Sequence, residues 1–212
     1  MVLSNQKERQ MVYERLKLFQ ALSAVAVSLQ RSARSEAEVI DTYRRELTRL
    51  GLRGNLSFID NIGENLVMQV VFIPDVLKTA LKKVGGITEL NAEGLTFSIS
   101  QVKAYQYAIT TKQAIFVPDS REIILQLLPE SLRNKTGMVM ELLGSTTQII
   151  APLVSDENVI GVMDLGSMVG LALEDTPIIE TFANHFATEV WKPSDQVLDQ
   201  DFARQCDDAA VW

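Results

Sequence analysis

The side chains that most often carry out catalytic or metal chemistry are scarce in this chain, which has one cysteine and one histidine among 212 residues. Cys206 has no second cysteine with which to form an internal disulfide, and this fits a reducing compartment. Tetrahedral zinc sites take four ligands drawn largely from cysteine and histidine, so these residues alone cannot build one. The Asp and Glu residues show no spacing typical of a calcium-binding loop.

The remaining motifs do not indicate a catalytic centre. No serine stands in the glycine-flanked turn of a hydrolase. Gly85-Gly86 is not followed by the Gly-Lys-Ser/Thr of a phosphate-binding loop. The paired acids Glu174-Asp175 stand where a helix is expected to begin, and the helix dipole favours negative charge at that end. We therefore expect a protein that is not an enzyme.

Composition narrows the possible partners. The chain is 47% hydrophobic and 22% charged, as is typical of a globular protein, and its formal net charge is −7. An acidic chain is poorly suited to nonspecific nucleic-acid binding, which depends on clustered cations. No apolar run approaches the roughly 18 residues that would cross a bilayer, and no signal-peptide pattern is present. We expect a cytoplasmic protein without a membrane span or a nucleic-acid partner.

Residues 6–31 contain no glycine or proline, and they predict one long helix. Its apolar residues recur at a heptad-like spacing that indicates a helix–helix seam, formed by Met11, Leu18, Leu22, Val25 and Leu29. A second apolar stripe runs beside the first, through Val12, Leu16, Phe19 and Ala26. A helix that is apolar on two sides must pack against two surfaces, such as its own domain and a partner chain. We expect a homodimer through the seam, with packing of the helix across its own sheet as the alternative.

The next segments alternate between helix and strand patterns. Ser35 and Glu38 form a capping box for a helix that Gly51 ends. Residues 55–62 and 66–73 predict a hairpin with its turn at 63–65, and a helix is expected after Pro74-Asp75. Further on we expect a strand at 95–100, a helix at 105–111, a strand at 114–117 and helices at 121–128 and 129–143.

The last third has the clearest pattern. Residues 148–154 and 158–165 predict two strands joined by a tight turn, and Asp175 is expected to cap the helix that follows. That helix ends at Lys192-Pro193, and an acidic, polar tail occupies the remaining residues. Hairpins separated by helical segments, with helices at both ends, indicate an α+β fold with a mostly antiparallel sheet.

The C-terminal strands and helix resemble the second half of a GAF domain. The resemblance is carried by IIAPLV at 149–154, VIGVMDLGS at 159–167, Glu174-Asp175 and Phe182-Ala183-Asn184. The segment YQYAITTKQAIFVPD at 105–119 is similar to another part of that family's pattern. The resemblance implies a GAF-like (profilin/PAS-like) sheet of five to six mostly antiparallel strands, with helices on both faces and a long N-terminal helix.

The same resemblance divides the chain into three parts. It implies a dimerisation or signalling helix at 1–34, a GAF domain at 35–192 and an acidic tail at 193–212. The residue pattern of the sequence is similar to that of the GAF sensor modules of bacterial multi-domain histidine kinases. No kinase motif follows, so we expect the chain to be at most the sensor part of a two-component system, with a kinase domain as its output partner. The proline at 193 departs from the family's usual helical continuation.

Several ligands of GAF domains are disfavoured by the residues present. Ser167-Met168 and Asp175-Thr176 stand where the cyclic-nucleotide-type domains have their Asn-Lys and Asp-Glu signature, so that kind of binding is not expected. Cys206 lies outside the resemblance, which disfavours a covalently attached bilin. His185 is the single candidate haem ligand, and an exposed position on its helix is the favoured interpretation. The GAF-fold sulfoxide reductases need several reactive cysteines, so their activity is not expected of a chain whose single cysteine is Cys206.

The resemblance leaves an unidentified small molecule as the expected ligand. In the family, ligands lie between one face of the sheet and the central helices and loops. The polar and aromatic candidates there are Gln101, Tyr105, Tyr107, Phe116, Asp119, Ser145 and Thr147. We expect a sensory or regulatory module that relays binding through its terminal helices. A dimerisation or scaffold module with a filled pocket is the alternative, because the same residues are compatible with a packed core.

Overall fold

The computed structural model describes residues 2–32, 35–73, 93–127, 130–135, 137–138, 141, 147–167 and 170–191. In this part of the chain the helices are α1 (Val2–Ser32), α2 (Glu36–Arg49), α3 (Lys103–Thr111), α4 (Arg121–Leu127) and α5 (Thr176–Val190). The strands are β1 (Leu52–Ile59), β2 (Asn65–Phe72), β3 (Thr96–Ser98), β4 (Ile115–Val117), β5 (Gln148–Ser155) and β6 (Asn158–Ser167). Short 3-10 helices cover Ile99–Gln101, Glu130–Lys135 and Leu173–Asp175.

The six described strands form one sheet in the order β3-β2-β1-β6-β5-β4. Every neighbouring pair is antiparallel. Because strand side chains alternate between the two faces, the sheet carries two separate cores. Helices α1, α2 and α5 pack on the first face, and α3 and α4 pack on the second face. The predicted α+β class, with an antiparallel sheet and helices on both faces, is confirmed.

The first core is organised around an aromatic residue of α2. Tyr43 is fully buried, and its ring lies 4.5 Å from that of Phe186 and stacks at 5.7 Å on that of Phe182. Phe72 meets it edge-on at 5.6 Å. Such aromatic pairs contribute about 0.5–1.5 kcal/mol each beyond the area they bury. The cluster joins the helix of the predicted capping box to α5, and the capping bond from Glu38 N–H to Ser35 Oγ is present at 3.3 Å.

The β1–β2 hairpin lies three residues earlier at its first strand than the sequence pattern predicted. Asp60 ends the strand because its Oδ1 accepts hydrogen bonds from the backbone N–H groups of Gly63, Glu64 and Asn65. Ile62, expected at the end of a strand, is exposed in the turn. A carboxylate that satisfies several turn amides outweighs the β-propensity of one isoleucine.

The predicted seam on α1 needs a correction. Leu22 and Val25 are each only 2% exposed and belong to the first core of their own chain, with Leu18 packed against it. These side chains are therefore not free to meet a partner in this structure. The second stripe is the exposed one, since Val12, Leu16 and Phe19 remain 63%, 51% and 48% exposed. The side chains of Met11 and Leu29 lie outside the described residues.

Some other predicted elements differ in detail from the structure, and others concern residues that the structure does not describe. The predicted strand at 95–100 is the short β3 followed by a 3-10 turn. Asp175 caps the 3-10 helix Leu173–Asp175 rather than α5, because its Oδ2 accepts a 2.8 Å hydrogen bond from the N–H of Ala172. The predicted helix after Pro74, much of 129–143 and the acidic tail lie outside the described residues. Among the described helices, none is long and apolar enough to cross a membrane.

Candidate functional site

Polar side chains occupy the centre of the second sheet face. Arg53, Asn55 and Ser57 alternate along β1 and are all buried. In the sheet register Asn55 pairs with Asp164 of β6, and Arg53 pairs with Gly166. Gly166 in turn pairs with Gln148 of β5. Together with Tyr105 of α3, which covers this face, these residues form what we call the polar cluster: Arg53, Asn55, Ser57, Tyr105, Gln148 and Asp164.

Hydrogen bonds connect the middle of the polar cluster. The Tyr105 hydroxyl donates to Oδ2 of Asp164 at 2.7 Å. Asn55 Nδ2 donates to the Tyr105 hydroxyl at 3.1 Å and more weakly to Asp164 Oδ2 at 3.5 Å. Ser57 Oγ donates to Asn55 Oδ1 at 3.0 Å. A network of this kind fixes the side-chain orientations of all four residues.

Asp164 is the electrostatic centre of the cluster. It is 1% exposed, and burial raises its pKa to about 6, although the Tyr105 hydrogen bond, the Arg53 charge and the Asn55 hydrogen bond each act to lower it. Burial and the neighbouring carboxylate likewise raise the pKa of Tyr105, which keeps its hydroxyl protonated as a donor. Oδ1 of Asp164 has no hydrogen-bond partner among the described residues. The carboxylate therefore retains an unused acceptor inside the fold.

Arg53 places a positive charge on the same face. It is 2% exposed, and burial lowers its pKa while the charge of Asp164 acts in the opposite direction. Its guanidinium lies over Gly166, where a Cβ atom would meet it at 3.4 Å. A Cβ atom at 166 would therefore make ordinary van der Waals contact with the guanidinium. The cluster thus holds one buried cation and one buried anion.

Gly54 brings the two central strands close together beside Asp164. Its φ is +152°, and a Cβ atom built on it would lie 1.7 Å from the backbone oxygen of Asp164. Only glycine permits this approach. The backbone between Arg53 and Asn55 therefore sits against the backbone of Asp164.

Other buried side chains also leave a polar atom without a hydrogen-bond partner among the described residues. Oε1 of Gln148 and Oγ of Ser120, which precedes α4, have no hydrogen-bond partner among the described residues. Both side chains are buried. Buried polar atoms without a partner are uncommon and call for an explanation such as a bound molecule or water.

The structure brings one predicted site residue, Tyr105, into the cluster. Tyr107 is exposed, since it lies on the opposite side of α3. Gln101 is exposed and donates from Nε2 to the backbone oxygen of Gln126 at 2.6 Å. Asp119 is exposed, and its Oδ1 accepts a 3.0 Å hydrogen bond from the N–H of Arg121 at the start of α4. The structure therefore does not place Gln101, Tyr107 or Asp119 in a buried site.

Two other candidates have roles elsewhere, and a third is not described. Phe116 packs against the first core, on the opposite sheet face, since it pairs with Ile149. Thr147 is half-buried, and its Oγ1 accepts from the N–H of Leu171 at 2.8 Å, which ties the start of β5 to the segment after β6. Ser145 lies outside the described residues. His185 is exposed on α5.

The other members of the polar cluster, Arg53, Asn55, Ser57, Gln148 and Asp164, were not predicted from the sequence as site residues. A signal was available in the strands themselves, because polar residues at 53, 55 and 57 repeat with the period of one strand face. An aspartate within the apolar run VIGVMDLG is a second signal. In the described ranges no group of three or more His, Cys, Asp and Glu residues is placed to hold a metal ion.

Solved structures share this architecture at low sequence identity. The GAF domain of a phosphoenolpyruvate-protein phosphotransferase from Coxiella burnetii matches with a TM-score of 0.55 at 12% identity, over 92% of this chain and 98% of that chain. A methyl-accepting chemotaxis protein matches with a TM-score of 0.51 at 19% identity, over 78% of this chain and 94% of that chain.

A third similar structure contains a bound substrate. It is the free methionine-R-sulfoxide reductase of Neisseria meningitidis in complex with its substrate, with a TM-score of 0.53 at 16% identity, over 90% of this chain and 92% of that chain. No family model matches the sequence, and no curated protein matches it at a significant level. The structural matches show that the chain has the GAF fold.

Proposed function

We propose that this chain is a sensory or regulatory GAF module that binds a small molecule at the polar cluster and relays binding through α1. The observation that carries the proposal is the open acceptor of Asp164, a fully buried carboxylate whose other oxygen is held by Tyr105. A buried acceptor without a hydrogen-bond partner is uncommon in a folded protein and calls for an explanation such as a bound molecule or water.

The similar structures support a signalling role. They include a methyl-accepting chemotaxis protein and the GAF domain of a phosphotransferase. The similar reductase holds its substrate, which shows that a protein of this architecture accommodates a small molecule. We do not extend its reaction to this chain, whose single cysteine, Cys206, provides no partner for a thiol–disulfide cycle. Binding without catalysis is the function we propose.

Contacts at the end of β6 offer a route from the cluster to α1. Arg15 of α1 forms ion pairs with Glu174 at 2.9 Å and with Asp175 at 3.3 Å. Both acids follow β6, the strand that carries Asp164. A cavity of about 300 Å³ adjoins these contacts and is lined partly by Leu18 and Ala21 of α1. A shift of β6 on ligand binding would therefore reach α1 through these contacts.

The exposed stripe of α1 supports a homodimer. Val12, Leu16 and Phe19 follow one another at steps of four and three residues, which is the spacing of a helix–helix seam. The opposite side of the helix is already used by the domain core. We propose that a second copy covers this stripe and that the paired helices act on an output domain, such as a histidine kinase of a two-component system, in the cytoplasm.

Ligand binding is tested by mass spectrometry of the purified protein under native and denaturing conditions, with absorbance spectra recorded in parallel. A bound species that is present in the native spectrum, and is released on denaturation, supports the proposal. The Asp164→Asn variant should lose that species, whereas Asp156→Asn, the same change in the exposed β5–β6 turn, should retain it. A wild-type protein that holds no molecule, and that no small molecule stabilises, favours the scaffold alternative with a filled pocket.

Dimerisation is tested by sedimentation of Phe19→Glu against Ile62→Glu. Both replace an exposed apolar side chain by a carboxylate, at 48% and 76% exposure, but Ile62 lies in the β1–β2 turn. The wild type and Ile62→Glu should sediment as dimers, and Phe19→Glu as a monomer. A wild-type monomer, or a dimer that Phe19→Glu leaves intact, would show that the exposed stripe of α1 is not a dimer interface.

A further inference from the structure

The partly open cavity of about 300 Å³ beside α1 lies on the first face of the sheet, opposite to the polar cluster. It is bounded by α1, by the turn into β1 and by the segment that follows β6. Most of its described wall is apolar and is formed by Leu18, Ala21, Leu50, Leu52 and Leu171. Binding sites for small organic molecules have volumes from about 300 Å³ upward and mostly apolar walls. The cavity therefore suits a small molecule with an apolar body.

A buried carboxylate forms part of the cavity wall. Asp175 is 6% exposed, and its Oδ2 accepts the hydrogen bond from the N–H of Ala172. Its Oδ1 is buried and makes no hydrogen bond to the described residues. Arg15 Nε forms an ion pair with Oδ1 at 3.3 Å, but a carboxylate oxygen has two lone pairs and can accept from a second donor. One hydrogen-bond donor on a ligand can therefore bind Oδ1 beside the arginine.

The charged side chains at the cavity already have partners. Arg15 pairs with Glu174 and Asp175, and the ammonium group of Lys17 lies 4.4 Å from the centre of the Tyr13 ring. A charged ligand would leave water for a wall of leucines and would meet charges of both signs. An uncharged molecule avoids that desolvation cost and keeps the apolar contacts. The lining therefore favours a neutral ligand.

We infer that this cavity is a second ligand site, which takes an uncharged small molecule with an apolar ring or chain and one hydroxyl or N–H donor. The apolar part lies against the leucines, and the donor binds Oδ1 of Asp175. The inference goes beyond the proposed function, because this site is separate from the polar cluster. Leu18 and Ala21 belong to α1, so an occupant contacts both this helix and the sheet and favours the arrangement in which they are packed together.

The experiment is a chemical-shift titration of the isotope-labelled full chain with phenol, anisole and benzoate. Phenol has an apolar ring and one donor, anisole lacks the donor, and benzoate carries a charge. We expect phenol to shift the amide signals of Ala21, Leu52 and Leu171, and to bind roughly tenfold more tightly than either analogue. Absence of phenol binding, or binding of an analogue as tight as that of phenol, overturns the inference.

Two variants of α1 locate the site. Ala21→Phe places a ring in the cavity and should abolish phenol binding, whereas Ala24→Phe, the same change at an exposed position of the same helix, should leave it unchanged. Asp175→Asn should remove the preference for phenol over anisole, because the amide presents a donor in place of one carboxylate oxygen. Phenol affinity that survives Ala21→Phe, or a preference that survives Asp175→Asn, contradicts the inference.

Asp164→Asn separates this site from the polar cluster. The variant should bind phenol as the wild type does, since Asp164 lies on the other face of the sheet. If Asp164→Asn abolishes phenol binding and Ala21→Phe does not, phenol occupies the polar cluster, and this inference fails while the proposed function stands. A polar cluster that holds no molecule, together with phenol binding that Ala21→Phe abolishes, gives the opposite result.

Discussion

The hydroxyl of Tyr105 donates a 2.7 Å hydrogen bond to Oδ2 of Asp164, and both side chains are buried on the second face of the sheet. The bond connects α3 to the central strand β6 across 59 residues of sequence. It occupies one oxygen of the carboxylate and leaves the other open. The same contact thus stabilises the fold and orients the group on which the proposed binding depends.

Removal of this hydrogen bond should destabilise the protein. Tyr105→Phe keeps the ring but deprives a buried carboxylate of its best donor, and we expect a loss of about 1–3 kcal/mol in the free energy of unfolding. Tyr107→Phe is the matched control on the same helix, and its exposed hydroxyl should contribute close to nothing. Urea denaturation at pH 8 measures both. Equal stability of the two variants would show that the bond contributes no net stability.

Asp164 should give the protein an unusual dependence on pH. Its pKa is about 6 in the folded state, against an ordinary value of 3.8. Between these values the folded chain holds a proton that the unfolded chain has lost, so stability falls as pH rises from about 4 to about 6 and then stays level. The loss from this group is about 3 kcal/mol.

The Asp164→Asn variant isolates that effect. The asparagine does not titrate, so the variant should gain less stability than the wild type as the pH falls from 8 to 4. Asp60 and Glu46 have lowered pKa values and act in the opposite sense, since their stabilisation is lost as pH falls. Their contribution cancels in the difference between variant and wild type, measured by urea denaturation from pH 4 to 8. A difference that does not change with pH would contradict the prediction.

Two leucines of α1 offer a matched test of which stripe packs on the domain. Leu22→Ala should cost about 2–5 kcal/mol, because Leu22 is buried in the first core. Leu16→Ala should change the stability of the monomer by less than about 0.5 kcal/mol, since Leu16 is half exposed. Unfolding is measured at low protein concentration, where dimerisation does not contribute. If Leu16→Ala proved the more damaging change, α1 would pack through its other side.

Gly54 should tolerate no side chain. In Gly54→Ala the added Cβ would collide with the backbone of Asp164, and the residue would be strained at a φ of +152°. We expect β1 to separate from β6, with a loss of at least about 2 kcal/mol and of ligand binding at the cluster. Gly137→Ala is the control, since nothing lies within 4 Å of the added atom. Thermal unfolding of the two variants gives the comparison, and a Gly54→Ala protein of wild-type stability would refute this account.

The local sequence determined much of the architecture. The apolar runs at 148–154 and 158–165 match β5 and β6, the stripe of Ile179, Phe182 and Phe186 matches the buried side of α5, and Ser35 caps α2. These features depend on residues close in sequence, so their periodicity and capping signals suffice to predict them. The resemblance carried by the last strands and helix correctly indicated the GAF fold.

Tertiary structure alone decided which faces and partners these elements use. Both stripes of α1 are apolar, and only packing against the domain selected Leu22 and Val25 for burial over Leu16 and Phe19. Strand register is set by pairing between distant segments, and a shift of one residue moves every side chain to the other face. That register sent Phe116 to the first core and brought Asn55 beside Asp164, 109 residues away in sequence. The polar cluster therefore exists only in the folded sheet, because no local pattern specifies which strands become neighbours.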